Sequence, residues 1–328
     1  MLREWGEDNV DEFDYATRGR SALTSASLRA WSNEVASISG QESISVLWDL
    51  DKFYDSIDPQ DVMTTAVDAA YPPSHLVMAL SMHMAPRCLL LNGIASLIIF
   101  PNKSTIAGCS HSNSFARLPL QKPIRRMAAE APQPKLKIAT FVDDVAQISR
   151  GRMAEIAEAA IKAAITFCVS MKALGLRVSS KTVVVSSNHR LAAALAVQIR
   201  KRQGVKVTVA QSGRDLGVAN APTRRRCTSI QKSRLAKAKT KLGKIARYTK
   251  AVRAARRLAT AGAMPQALWG CGAIGLAPTV IRDLRTSMAT ASGITAAGRC
   301  PITTVAIAYG QYADPEISSA VEQIRLWL

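Results

Sequence analysis

The sequence predicts an α+β fold, in which an antiparallel sheet with flanking helices precedes a helical and strongly basic segment. Short apolar runs that alternate with polar residues, separated by turn residues, predict strands and hairpins. Segments with apolar residues at spacings of three, four and seven predict amphipathic helices. The two halves of the chain differ in charge. Residues 1–150 hold 14 basic and 17 acidic residues, whereas residues 151–328 hold 29 basic and 7 acidic residues.

The composition is that of a globular protein. Apolar residues make up 48% of the 328 residues and charged residues 20%, with a formal net charge of +19, which argues against disorder. The longest apolar stretch, Cys88–Phe100, contains Asn92 and Gly93 and is too short to span a bilayer. The acidic start lacks a secretory signal, and the six scattered cysteines lack metal spacing. We expect an intracellular protein, nuclear or cytoplasmic, that is neither secreted nor membrane-bound.

Local signals place each element in turn. Asp58-Pro59 is typical of a helix cap followed by proline at the first helical position, and Asn92-Gly93 is a favoured two-residue hairpin turn. The predicted helices cover residues 21–36, 58–70, 74–84, 112–129, 153–174, 235–259 and 278–292. The predicted strands are residues 43–50, the arms of hairpins within 88–100 and 135–148, and residues 177–186 and 205–209.

Two acidic clusters follow predicted strands. The first runs from Asp49 to Asp58, and the second is Asp143-Asp144 at a hairpin tip. Adjacent carboxylates resist burial unless a divalent cation neutralises them, and magnesium prefers such hard oxygen ligands. Two ions held by carboxylates of neighbouring strands would clamp the attacking and leaving oxygens of a phosphoryl transfer. Asp143-Asp144 alone is more typical of an exposed turn, but the other cluster and the basic segment favour the metal site.

The basic segment has the pattern of a long helix with one cationic side. No acidic residue occurs between Asp215 and Asp283, and residues 224–257 carry 14 lysines and arginines. A stripe of apolar and small residues follows one face: Leu235, Ala238, Leu242, Ile245, Thr249, Val252 and Ala259. Because a helix of one charge sign repels itself unless a polyanion compensates, nucleic acid is the expected partner.

Five features occur in one order along the chain. They are an acidic motif with an aromatic residue, an aromatic-x-Asp-Asp motif, a Gly-Leu…Lys-Thr element, a Leu-Gly element and the basic helix. The residues that carry the first four are Asp49, Tyr54 and Asp55; Phe141, Asp143 and Asp144; Gly175, Leu176, Lys181 and Thr182; and Leu216 and Gly217. This order resembles a reverse transcriptase of the non-LTR retroelement type, especially the retroelement-derived reading frames of dinoflagellate genomes.

The resemblance implies a polymerase palm followed by a helical thumb. It divides the chain into a remnant of fingers and connector helices (1–42), a palm with a primer-grip-like hairpin (43–218), a basic thumb (219–262) and a post-thumb helical region (263–328). The fingers are expected to be truncated, because only 48 residues precede Asp49. Neither an endonuclease nor an RNase H segment is expected.

The resemblance implies an RNA-directed DNA polymerase, in which a DNA primer 3′-hydroxyl attacks the α-phosphate of a dNTP on an RNA template. Two Mg²⁺ ions, or Mn²⁺ as a substitute, are the implied cofactors. The implied catalytic residues are Asp49, Asp143, Asp144 and Lys181, and the implied metal ligands are Asp49, the Leu50 carbonyl, Asp143 and Asp144. The implied substrate-binding residues are Tyr54 and Gly108, and the nucleic-acid-binding residues are Arg224, Arg225, Arg226, Lys237, Lys241 and Lys244.

Several alternatives stay open. Tyr54, expected to exclude a 2′-hydroxyl, also fits a half-buried aromatic on a sheet, and Lys181 fits a solvated strand end. Gly108 aligns with a family glycine, but Ala107 stands where the family has glutamine. The chain could therefore be a degenerate relative that only binds nucleic acid, or a plain nucleic-acid-binding protein with structural carboxylates. A viral RNA polymerase also uses paired aspartates, but the Gly-Leu and Leu-Gly elements favour the retroelement type. The oligomeric state is not predicted.

Overall fold

The chain forms two compact units in a computed structural model that describes residues 2–131, 135–223 and 226–327. The first unit comprises Met1–Ala22 and Ala36–Gly213, and the second comprises Leu23–Val35 and Arg214–Leu328. Residues 23–35 thus group with the C-terminal part of the chain. The functional division into fingers, palm, thumb and post-thumb region stays a prediction.

Helices account for most of the regular structure. In the first unit they are α1 (Leu2–Asp8), α3 (Phe53–Ser56), α4 (Pro59–Asp68), α5 (Pro73–Met84), α6 (Ser112–Ala128), α7 (Met153–Ala173) and α8 (His189–Gln203), and α2 (Ala22–Ile38) contributes to both units. In the second unit they are α9 (Ser229–Ala251), α10 (Met264–Leu268), α11 (Cys271–Ile274), α12 (Pro278–Ala291), α13 (Pro301–Tyr309) and α14 (Pro315–Trp327). None of the helices in the described ranges is both long enough and apolar enough to cross a bilayer.

A five-stranded sheet forms the centre of the first unit. The strands of the chain are β1 (Glu42–Trp48), β2 (Leu90–Leu91), β3 (Ile94–Ala95), β4 (Leu136–Phe141), β5 (Asp144–Gly151), β6 (Val183–Ser186), β7 (Thr208–Ala210), β8 (Gly213–Asp215) and β9 (Val218–Asn220). The sheet order is β4-β5-β1-β6-β7, with antiparallel pairs except for the parallel pair β6–β7. The pairs β2–β3 and β8–β9 are separate hairpins.

Alternation along β1 builds the core. Ile44, Val46 and Trp48 belong to one large apolar cluster, and α7 packs against β1 and β5. The Trp48 and Phe167 rings lie with their centroids 4.5 Å apart. A central strand that is paired on both edges and packed by a helix is rigid, so it can fix the position of the residues that follow it.

The predicted α+β class is confirmed, and the structure corrects four details. Helix α8 was not predicted, and its crossover makes β6 and β7 parallel where an antiparallel sheet was expected. The strand predicted over residues 177–186 is only Val183–Ser186. The basic helix ends at Ala251, because the extended Val252 lets the chain turn so that Ala259 reaches the core by a separate segment.

A buried ion pair joins α2 to the β8–β9 hairpin within the second unit. The Arg29 guanidinium on α2 donates two hydrogen bonds to the Asp215 carboxylate, with Nε–Oδ2 and Nη2–Oδ1 distances of 2.5 and 2.6 Å. Both side chains are about 5% exposed. The Asn33 amide of the same helix donates to Asn220 at 2.6 Å. These contacts fasten α2 to the β8–β9 hairpin.

We expect Arg29→Met to lower the free energy of unfolding by about 3–5 kcal/mol, because it leaves the Asp215 carboxylate buried without its partner. Urea unfolding followed by tryptophan fluorescence measures this loss. The double variant Arg29→Met/Asp215→Leu should recover part of it, since neither charge then remains buried. Arg226→Met is the control, because its pair with Glu34 is partly exposed to solvent and contributes much less, about 1 kcal/mol at most. A loss below about 1 kcal/mol for Arg29→Met contradicts this role.

Candidate active site and cationic helix

Two aspartates lie near each other at one end of the adjacent strands β1 and β5, where β1 ends and β5 begins. Asp49 follows β1 directly, and the last residue of β1, Trp48, pairs with Val145 of β5. The β4–β5 hairpin turns at Val142-Asp143, where Phe141 pairs with Asp144. The register therefore carries Asp49 to the hairpin tip, where its charge acts on Asp143.

The surroundings of the Asp143 carboxyl disfavour its ionised form. Burial raises its pKa above the ordinary value of 3.8, and the negative charge of Asp49 raises it further. Hydrogen bonds from the backbone N–H groups of Asp143 and Asp144 oppose the rise without cancelling it. A carboxyl that is costly to ionise beside a like charge has the character of a cation ligand or of a proton-binding group.

The backbone of Asp49 is fixed by the segment that leads into β6. The Asp49 carbonyl accepts a hydrogen bond from the Ser179 N–H at 2.8 Å, and the Asp49 N–H donates to Thr182 Oγ1 at 3.2 Å. The next residue, Leu50, is paired with Val178. The Gly-Leu…Lys-Thr element is thus the structural support of Asp49, and Thr182 is a positioning residue whose contact the sequence did not reveal.

Tyr54 lies in the same site. Burial raises its pKa, and the charge of Asp143 raises it further, which places the phenol near that carboxylate. Its hydroxyl donates to the Asn113 side-chain oxygen at 3.3 Å, near the start of α6. Its carbonyl accepts from the Thr105 N–H at 2.8 Å. Motif residues of α3 and the loop before α6 are thus joined beside the aspartates.

The loop that carries Gly108 is fixed by a buried histidine. Gly108 has φ 89°, a conformation that favours glycine even though a Cβ at this position would meet no atom within 4 Å. His83 of α5 accepts a hydrogen bond at Nδ1 from the Ile106 N–H at 3.0 Å. Burial lowers the pKa of His83, which keeps the ring neutral and able to accept. No sequence pattern pointed to His83 beyond its place in an apolar helix.

The donor set of the site is small. Among the described residues, no group of three or more His, Cys, Asp and Glu side chains lies close enough together to hold a metal ion. Asp49, Asp143 and Asp144 therefore do not form a ready three-carboxylate cage, and Asp144 is exposed. Two carboxylates are nonetheless hard oxygen donors, and magnesium is commonly held by one or two carboxylates together with water and substrate phosphates. The residues fit a site of that kind.

The remaining acidic and basic residues of the motifs lie at the surface. Lys181 and Asp55 are exposed. Asp58 caps α4, where its carboxylate accepts from the Gln60 N–H at 2.9 Å, as its position before Pro59 predicts. The assignment of Lys181 as a proton donor stays a prediction.

In the second unit, α9 has the predicted apolar and cationic faces. The buried residues of this helix are Gln231, Leu235, Ala238, Leu242, Ile245 and Thr249. Lys237, Lys241 and Lys244 are exposed, on a flank of the helix away from this buried stripe. Lys239 differs from them, because it pairs with Asp283 at 2.8 Å.

Three predicted nucleic-acid-binding arginines precede α9. Arg224 and Arg225 lie outside the described residues. Arg226 is described, and its guanidinium donates to both oxygens of Glu34 at 3.0–3.3 Å. A carboxylate that already occupies a guanidinium competes with phosphate, so Arg226 is a weaker candidate for phosphate contact than the lysines of α9.

Tyr248 extends the exposed face of α9. Lys237, Lys241, Lys244 and Tyr248 follow one another at spacings of four, three and four, so they line one side of the helix, and we call them the cationic stripe. Tyr248 is 66% exposed. An exposed aromatic ring in line with lysines is typical of surfaces on which a nucleobase stacks. The sequence-based prediction missed Tyr248, although the helical spacing could have revealed it.

The predicted Leu-Gly element forms the β8–β9 hairpin. Its turn residues, Leu216 and Gly217, both have positive φ. The Leu216 carbonyl accepts from the Trp269 indole N–H at 3.0 Å, and Arg234 of α9 lies over the Trp269 ring. A Cβ on Gly217 would collide with Arg234 and Trp269, so this turn requires glycine for space as well as for φ. The assignment as a primer grip stays a prediction.

Comparison with known proteins finds structural likeness but no match in sequence. No protein-family model matches the chain, and no curated protein matches it. The chain is similar to the solved structure of apo telomerase from Candida tropicalis, with a TM-score of 0.44 and 8% sequence identity. The match covers 92% of this chain and 50% of that chain, so the protein spans about half the length of that telomerase chain. Its function has to be inferred from the geometry of its own site.

We expect Asp143→Asn to stabilise the protein when divalent cations are absent. Because the pKa of Asp143 is raised by folding, ionisation costs stability as pH rises from 3.8 through the raised pKa, and the cost is complete above it. The gain should be largest at neutral pH and vanish in acid, where the wild-type carboxyl is protonated. Solvent screening limits it to less than about 1 kcal/mol.

Thermal unfolding in EDTA at several pH values measures this difference. Glu158→Gln is the control, because Glu158 is fully exposed on α7 and its pair with Lys162 contributes little. A neutral or lower stability of Asp143→Asn at pH 7 would show that Asp143 is not held in a repulsive environment.

Proposed function

We propose that the chain is an RNA-directed DNA polymerase module of the non-LTR retroelement type. It would join a dNTP to a DNA primer on an RNA template, with attack of the 3′-hydroxyl on the α-phosphate and loss of pyrophosphate. The observation that carries this proposal is that Asp49 and Asp143 lie near each other at one end of the paired strands β1 and β5, with Tyr54 beside them. Two distant acidic motifs that converge on adjacent strands suit phosphoryl transfer better than a structural role, because like charges oppose folding there.

Asp49, Asp143 and the Leu50 carbonyl would hold magnesium, with Asp144 as a further ligand for a second ion. When bound, Mg²⁺ or Mn²⁺ supplies charge neutralisation at the reacting phosphate. Strand register and backbone hydrogen bonds fix the backbone from which the Asp49 and Asp143 carboxylates project. They therefore need little rearrangement to act, which is how positioned charges contribute most to catalysis.

Tyr54 would select the sugar. Its ring is half-buried and its hydroxyl is held by Asn113, so the phenol cannot move aside without losing that contact. A 2′-hydroxyl placed over the ring would clash with it, whereas a deoxyribose would not. Gly108, free of a side chain in an exposed loop, would let the backbone approach the nucleotide. Lys181 would donate a proton to the leaving pyrophosphate.

The cationic stripe on α9 would bind the template and primer. Its three lysines lie on a helix that contains no acidic residue, so phosphates meet no competing carboxylate on that helix. Tyr248 would add base stacking, which depends little on sequence. A reverse-transcriptase-like protein that only binds nucleic acid is the second candidate, and the small donor set and Ala107 favour it.

Primer extension on an RNA template tests the polymerase. We expect extension by the wild-type chain with Mg²⁺ or Mn²⁺, and a loss of roughly 10³-fold or more in rate for Asp49→Asn and Asp143→Asn, because each removes a charge aimed at the reacting phosphate. Glu158→Gln should extend like the wild type, since Glu158 is exposed on α7.

Two outcomes decide between the candidates. Absence of extension by the wild type, with salt-sensitive binding of the primer–template retained, favours the protein that only binds nucleic acid. Extension that survives Asp143→Asn would show that the activity belongs to a contaminant or to another site.

Salt-dependent binding tests the cationic stripe. For a primer–template, we expect Lys237→Gln, Lys241→Gln and Lys244→Gln each to reduce the slope of log K against log salt by about 1, since each removes one phosphate contact. Tyr248→Ala should weaken binding by about 1–3 kcal/mol with little change in slope, because stacking releases no counterions.

Lys239→Gln is the matched control on the same helix. Lys239 already pairs with Asp283, so its removal should leave the slope almost unchanged. Equal effects of Lys239 and the three stripe lysines would indicate diffuse attraction by net charge rather than a defined binding face.

A further inference from the structure

A β-hairpin in the first unit exposes an unusual amount of apolar surface. The segment from Cys88 to Phe100 contains no charged residue. Its exposed large apolar side chains, 48–90% exposed, are Leu89, Leu90, Leu91, Ile94, Leu97, Ile98, Ile99 and Phe100. Isolated exposed apolar residues are ordinary on protein surfaces, but a contiguous set of this size marks an interaction site.

The hairpin is well formed rather than loose. Arg87 and Ile99 exchange two backbone hydrogen bonds of 2.9 and 2.7 Å. Leu89 and Ser96 exchange two more, at 2.8 and 2.9 Å, one of them through the serine hydroxyl. Its apolar surface is therefore presented in a fixed shape, which lowers the entropy lost when a partner binds.

Both faces and both edges of the hairpin are open. Leu90 and Leu91 are neighbours in β2 and so point to opposite faces, yet they are 73% and 74% exposed. In the described part of the chain, β2 pairs with β3 in a two-stranded sheet that no other strand joins. The outer edges of both strands therefore present backbone N–H and C=O groups that can pair with another strand.

These features select the kind of partner. A nucleic acid presents negatively charged phosphates, and the hairpin has no basic residue that could bind them. A bilayer would cover the apolar faces but leave the edge N–H and C=O groups without partners, which is costly in hydrocarbon. A protein strand satisfies both requirements, since it pairs with an edge and packs its side chains on a face.

We propose that this apolar hairpin is the interface between two copies of the chain, with each hairpin packed against the other through an edge and a face about a two-fold axis. The eight apolar side chains expose, at roughly 100 Å² each, on the order of 800 Å² per copy, so a second copy that covered all of them would complete an interface of standard size. An uncharged surface is also self-compatible, because two identical copies bring no like charges together there. The proposal is independent of the polymerase activity.

Sedimentation velocity of the nuclease-treated chain, over concentrations around 1 μM, tests the dimer. The wild type should shift from monomer to dimer as concentration rises, and Leu90→Lys and Leu97→Lys should raise the dissociation constant by roughly tenfold or more. Val197→Lys is the matched control, because Val197 is 61% exposed on α8 and adds the same charge away from the hairpin. Since all three sites are exposed, thermal unfolding should be similar in the three variants.

A mixing experiment sharpens the test. Leu97→Lys and Leu97→Glu should each be monomeric alone and form a mixed dimer together, because the two charges buried in the one interface then attract each other and no longer repel. A wild-type chain that stays monomeric throughout the range overturns the proposal. So does a dimer that Leu90→Lys and Leu97→Lys leave as tight as the Val197→Lys control.

Discussion

The partly buried carboxyl of Asp143, placed beside the negative charge of Asp49, is the constraint that the rest of the first unit has to accommodate. Nothing in the side chains themselves draws these two carboxyls together. They are held near each other because β1 is paired with β5 on one edge and with β6 on the other, and because Ser179 and Thr182 fix the Asp49 backbone. The apolar core under β1 supplies the free energy that offsets the repulsion. A site arranged in this way is ready to receive positive charge.

Local signals in the sequence were sufficient for elements whose cause is local. The alternation in residues 43–48, the Asp58-Pro59 cap and the Asn92-Gly93 turn each depend on neighbouring residues, and the structure has the strand, helix and hairpin that they predict. The nearness of Asp49 to Asp143 does not have a local cause of this kind. It depends on pairing between strands about a hundred residues apart, which periodicity cannot specify; the order of the motifs suggested it, and the β1–β5 register provides it.

What the sequence did not disclose depends on long-range contacts. Helix α8 has only a short buried stripe, of Leu191, Leu195 and Ile199 with Ala192, between polar ends, so its helical period was easily missed. Because a parallel strand pair needs a crossover, missing the helix also meant missing the parallel pairing of β6 and β7. His83 and Asn113 act through partners 23 and 59 residues away, Ile106 and Tyr54. No local pattern marks such contacts.

Backbone strain supports the view that the site has been shaped for something other than stability. Val142 adopts φ 60°, which is strongly unfavourable for a β-branched residue, and Lys52 next to the first acidic motif adopts φ 45°. Each such conformation costs on the order of 1–3 kcal/mol and persists only because the surrounding structure imposes it. Glycine or asparagine at either position would relieve the strain. At Val142, however, the buried side chain packs in the core and so anchors the hairpin tip that carries Asp143. The strain thus accompanies the firm placement of a carboxylate at the turn, which a solvent-exposed structural turn would not require.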